Sequence, residues 1–134
     1  MEKKIETRTE IIYLGEEGIV YCIARKGTIL EIDDAKENVQ AIAKVIGNGK
    51  APVFVDIRQS EGASKEARKY FTSNEVAEIQ SAVAMLVDSG FSKLIGNFFI
   101  GLNKPIFPLK LFTSKDEAVY WLKNFIEKKS ESHE

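Results

Sequence analysis

An α/β fold built on a mostly parallel sheet is predicted by three observations. Short β-branched and aromatic runs alternate with segments of helical period along the chain. PVFVDI at residues 52–57 and SAVAMLV at 81–87 are short, almost wholly apolar runs, as strands covered on both faces are. The turn GEEG at residues 15–18 joins two opening strands as an antiparallel hairpin. Together they predict a five-stranded sheet and four main helices in the order β-β-α-β-α-β-α-β-α, with right-handed crossovers between the parallel strands.

The first two strands run from Ile5 to Leu14 and from Ile19 to Arg25. Alternation in the first sets Glu6, Arg8 and Glu10 on one face and Ile5, Thr7, Thr9 and Ile11 on the other, the pattern of an edge strand. Cys22 lies among Tyr21, Ile23 and Ala24, which reads as packing rather than as a nucleophile. In IDDAKENVQAIAKVIG, Asp33 or Asp34 caps a helix whose Ala35, Val39, Ile42 and Ile46 share a face, and Gly47 ends it. The GNGK that follows lacks the full glycine-lysine-hydroxyl pattern of a phosphate loop and comes after a helix, not a strand.

Beyond the strand at 52–57, Ser64 caps a helix SKEARKYF in which Ala67 and Phe71 share a face. Thr72 and Glu75 then stand at capping-box spacing. The strand at 81–87 closes at Asp88-Ser89-Gly90. The next helix carries an unusually wide apolar stripe of Phe91, Leu94, Ile95, Phe98, Phe99 and Leu102, and stops at Asn103-Lys104-Pro105. LKLF at 109–112 is the last strand. Ser114 and Glu117 form a capping box for a closing helix that buries Ala118, Trp121, Leu122, Phe125 and Ile126.

The 134 residues suit a single domain, residues 1–128, followed by a flexible polar tail at 129–134. Nineteen basic residues against twenty acidic ones leave a net charge of -1, without the electrostatic footprint of a phosphate-backbone binder, so nucleic acid is not an expected partner. With Cys22 as the only cysteine there is neither an internal disulfide nor a cysteine-rich zinc site. No apolar run has the length to cross a bilayer of about 30 Å, and the opening MEKKIETRTE has no signal character, so a cytoplasmic protein is expected.

No catalytic constellation assembles from these residues. His133, the only histidine, lies in the tail KKSESHE, and neither Ser64 nor Ser89 has an evident base. The pairs Asp33-Asp34 and Asp116-Glu117 stand at helix starts, where dipole compensation accounts for them. A receiver-type phosphoacceptor at Asp56, with Lys104 or Lys110 as its cation, would need an acidic pair after the first strand to hold magnesium, and Glu16-Glu17 fall in a turn instead. Neither a cofactor nor a metal is called for.

The order of elements resembles the STAS fold of bacterial anti-sigma-factor antagonists, in the divergent branch called SpoIIAA-like, over most of the chain. PVFVDIR, SKEAR, LIGNFFIGLNKP and LFTSKDEAVYWL are similar to stretches of a family of small uncharacterised bacterial proteins near that fold. In the antagonists, a serine or threonine at the start of the helix after the central strand is a phosphorylation switch that controls docking on a kinase-like anti-sigma factor. Ser64 occupies the similar position, although the Asp-Ser-Ser/Thr-Gly signature is absent there and Asp88-Ser89-Gly90 follows the next strand.

The resemblance implies a noncatalytic regulatory module that docks on a protein partner through residues 56–71. A phosphate on Ser64 would draw on Arg58, Lys65 or Arg68 for charge-assisted hydrogen bonds, beside Asp56 at the strand end. On the plainer reading Ser64 only caps its helix. A second expectation is a carrier of lipid or another apolar ligand that uses the wide stripe at 91–102, although broad apolar faces usually pack, here in the core or in a homodimer interface.

Overall fold

The computed structural model describes residues 4–88 and 106–126. Thr7, Arg8 and Thr9 break the predicted first strand in two. The Thr7 amide donates to the Glu10 carbonyl at 2.8 Å, and the Thr7 hydroxyl accepts from the Glu10 amide at 3.0 Å. The chain therefore reverses, and β1 (Lys4–Glu6) pairs antiparallel with β2 (Glu10–Leu14). This reversal gives the main sheet a sixth strand. It also resets the alternation, so that Glu10 turns inward with Ile12 instead of outward with Glu6.

The later strands are β3 (Val20–Ala24), β4 (Ile29–Leu30), β5 (Ala51–Asp56), β6 (Gly62–Ala63), β7 (Gln80–Leu86) and β8 (Leu109–Phe112). The main sheet runs in the order β1-β2-β3-β5-β7-β8. Its first three strands are antiparallel neighbours, and the pairings from β3 through β5 and β7 to β8 are parallel. The predicted hairpin is present, with Leu14 opposite Val20 across the turn. A second, two-stranded parallel sheet, β4 with β6, had no counterpart among the expected elements.

Helix α1 (Ile32–Ile46) lies against one face of the main sheet, where Ala41, Ile42 and Val45 meet Ile12, Val20, Cys22, Val53 and Val83. Its N-cap is Glu31 rather than Asp33 or Asp34: the Glu31 amide donates to the Asp34 carboxylate at 2.9 Å. Asp34 thus closes the first turn from inside the helix. At the other end Gly47, with φ 87°, donates its amide to the Ala43 carbonyl at 3.0 Å, as a glycine terminus should.

Helices α2 (Lys65–Tyr70) and α3 (Asn74–Ala77) fill the β5-to-β7 crossover, with Ser64 and Ser73 as their N-caps. The second cap falls one residue beyond Thr72, because the Ser73 hydroxyl reaches the Val76 amide. Helix α4 (Lys115–Leu122) covers the opposite sheet face, where Ala118 and Leu122 pack on Phe54, Ala82, Ala84 and Leu86. It tightens into a 3-10 turn over Lys123–Phe125. Strands β5 and β7 are apolar through their centres because each feeds both layers, as Val53 and Phe54 do from adjacent positions.

Candidate functional site

The loop from β5 to α2 is fixed at several points to the segment preceding α1. The Gly27 amide donates to the Gln59 carbonyl at 2.9 Å, the Glu61 amide to the Thr28 carbonyl at 2.8 Å, and the Ser64 amide to the Leu30 carbonyl at 2.8 Å. Gly62, with φ 132°, takes a conformation that L side chains rarely adopt and donates its amide to the Ser60 hydroxyl at 3.1 Å. This stitching produces the small β4–β6 sheet and holds the start of α2 in place.

Ser64 is half-buried there, and its hydroxyl accepts from the Ala67 amide at 3.2 Å. Lys65 is exposed next to it, and Arg68 is half-buried one turn on. Asp56 and Arg58 form a pair of their own. Arg58 donates from Nε to Asp56 Oδ1 at 2.9 Å and from its terminal nitrogen to Oδ2 at 2.7 Å, and its amide adds a third bond at 3.1 Å. Burial acts to raise the Asp56 pKa, yet the Arg58 hydrogen bonds and the nearby positive charges of Arg58 and Lys115 outweigh it and hold the carboxyl below its ordinary value. The five predicted residues thus fall into an ion pair at the strand end and a separate group at the start of α2, with the Arg58 guanidinium turned to Asp56.

Lys110, weighed as a cation for Asp56, instead lies 5.4 Å from the ring centre of Phe112 and 6.0 Å from that of Trp121. Lys104, Ser89 and the stripe residues Phe91, Leu94, Ile95, Phe98, Phe99 and Leu102 lie outside the described residues, as does His133. Among the described residues no group of three or more His, Cys, Asp or Glu side chains could hold a metal ion. No described helix is long and apolar enough to cross a membrane.

Sequence periodicity missed a buried polar cluster on the α1 side. The Thr7 hydroxyl donates to Asn38 Oδ1 at 2.6 Å, and Asn38 Nδ2 donates to the Thr9 hydroxyl at 2.9 Å. Glu10 lies near this cluster, buried beside Cys22. The available signal was Asn38 itself, a polar residue three positions after Ala35 on the apolar face of α1.

Residues 13–126 match the family described as Domain of unknown function (DUF7793). The chain belongs to this family. Among solved structures, this DUF7793 chain is similar to an uncharacterized protein of the DUF3478 family with a SpoIIAA-like fold, from Shewanella loihica PV-4. The identity is 15%, with 91% of this chain and 92% of that one covered at a TM-score of 0.50. A protein of unknown function from Arthrobacter sp. FB24 is similar at 23% identity and a TM-score of 0.34, with 88% and 95% covered. No curated protein matches. The DUF7793 chain has a SpoIIAA-like fold, as the order of its elements implied.

Proposed function

We propose that this chain is a noncatalytic protein-interaction module of a bacterial regulatory system, switched by phosphorylation of Ser64. The observation that carries the reading is the placement of Ser64 at the head of the helix after central strand β5, on a loop fixed at several points to the rest of the fold. Exposed Arg58, Lys65 and Lys69 give that face charge for a partner to read. A kinase that moves the terminal phosphoryl group of ATP to Ser64 Oγ, with loss of the hydroxyl proton, would add about -1.5 to -2 charges there at pH 7. The switch is then local, since the fold beneath the loop stays in place. Residues 1–128 serve as one cytoplasmic domain, with 129–134 as a polar tail.

The test is peptide mapping of residues 53–71 in protein isolated from its host with phosphatases inhibited, followed by affinity capture with wild-type, Ser64→Ala and Ser64→Asp chains. A phosphate on Ser64, with a partner whose retention differs between the Asp and Ala forms, is the expected result. An unmodified Ser64 and identical partners for all three chains would leave it a helix cap only.

A further inference from the structure

A cavity of about 70 Å³ lies between α1 and the sheet. Its wall is apolar along Leu30, Val39, Ile42, Ile57 and Met85, yet Glu10 is among the residues that line it. Glu10 is only 6% exposed. The nearby cations among the described residues are engaged elsewhere: Arg8 donates to Asp34 and to the Ile29 carbonyl, and Arg25 to Glu6 and to the Thr7 carbonyl. Thr7 and Thr9 are taken up with Asn38. Among the described residues, the group set against the carboxyl is the Cys22 thiol, a weak donor, whereas a carboxylate has about four acceptor sites.

We propose that this cavity binds a small primary amine, whose ammonium group pairs with the Glu10 carboxylate and whose short apolar body lies against Leu30, Val39, Ile42 and Met85. A buried carboxylate without a cation is unfavourable, and an ammonium group supplies both the missing charge and three donors. An anion would be repelled, and an alcohol brings one donor and no charge. A divalent cation needs several oxygen ligands, and Glu10 is the only carboxylate on the wall among the described residues. Size limits the rest of the molecule, because the volume is about half of the roughly 150 Å³ of an apolar cavity that accepts benzene. The site therefore selects short aliphatic amines over long-chain or aromatic ones.

The acid is tuned for such an exchange. Burial raises Glu10 to about 7, with the Cys22 hydrogen bond opposing the rise. Among the described residues, Cys22 on β3 is the other titratable group on the wall, and burial keeps its thiol protonated. Helix α1 brings Asn38, Val39 and Ile42 to the cavity, β5 brings Val55, and β7 brings Gln80, Val83 and Met85, none of them charged. Amine binding must then displace a proton below about pH 7 and needs no displacement above it.

The experiment is titration of the full chain with n-propylammonium chloride to tens of millimolar, read from the methyl NMR signals of Ile42, Val39 and Met85 and by calorimetry. At pH 8 saturable one-to-one binding is expected, with affinity falling towards tenfold per unit as the pH drops below 7. 1-Propanol should bind at least tenfold more weakly, and Glu10→Gln should lose the amine while keeping the wild-type amide spectrum. Should Glu10→Gln fail to fold, Ile42→Phe fills the space instead, and the amine-to-alcohol comparison on the wild type decides. The proposal is overturned if those methyl signals do not move, if the alcohol binds as tightly, or if a folded Glu10→Gln chain binds the amine unchanged. None of these readouts involves Ser64, so failure here leaves the docking reading untouched.

Discussion

Glu10 and Asp56 both occupy strand ends, and their surroundings drive their protonation in opposite directions. Burial lifts Glu10 from its ordinary 4.5 to about 7, whereas Arg58 overcomes the burial of Asp56 and lowers it. Between about pH 4.5 and 7 the unfolded chain has released the Glu10 proton and the folded chain still holds it, so this group's contribution to stability falls as the pH rises through that window. It stays flat at higher pH. Asp56 has the opposite sign: its contribution is present above the ordinary 3.8 and is lost as the pH falls through its lowered value. Urea unfolding at pH 5 and pH 8 separates the two, since Asp56 is ionised at both. Glu10→Gln should remove a pH-dependent loss on the order of 2–3 kcal/mol. An unchanged difference between the two pH values would mean that Glu10 titrates like a solvated carboxylate.

At the scale of elements, the hairpin turn makes a sharp demand on one glycine. A Cβ at Gly15 would lie 2.6 Å from a ring carbon of Tyr21. That ring stacks on Tyr13 at 5.2 Å, tilts against Phe54 at 5.4 Å, and its hydroxyl donates to Glu17 at 2.6 Å, so it has little room to retreat. Gly15→Ala should therefore destabilise by about 1–3 kcal/mol, read as a lower urea midpoint with an unchanged slope. This turn was legible in the sequence, as were β5, β7 and β8, because short, mostly apolar runs and glycine punctuation are local signals. Ser64 and Ser114 were legible as caps for the same reason. The reversal at Thr7–Thr9 was not, since Thr-Arg-Thr fits strand alternation and the Thr7 hydroxyl donates to Asn38, thirty-one residues away. Because that reversal sets which way Glu10 faces, the cavity around it was hidden along with it. Glu31 displaced the predicted Asp caps by a similar logic, with Asp34 closing the turn at the same time as it pairs with Arg8.

For the described molecule as a whole, one sheet serves two apolar layers, and β5 contributes to each from alternate positions. Neither layer can lose its packing while the other keeps the sheet, so unfolding should be a single transition. Trp121 lies on the α4 side, 5.0 Å from the Phe125 ring and 5.7 Å from Phe112, and its fluorescence reports that layer alone. Far-UV circular dichroism reports the helices, α1 on the opposite face above all. The two curves should coincide in urea, and an earlier fluorescence transition would show the α4 layer coming away independently.

The bonds that tie residues 27–30 to 59–64 form a wall with two sides. Leu30, Ile57 and Ser60 line the cavity from within, and Ser64 faces the start of α2 from without. If ligand and partner both bind as proposed, thermodynamic reciprocity applies across this wall: whatever factor an occupant of the cavity imposes on partner affinity, the partner imposes on the occupant in return. A small metabolite under the loop would then gate a signalling contact above it, and the contact would report on the metabolite.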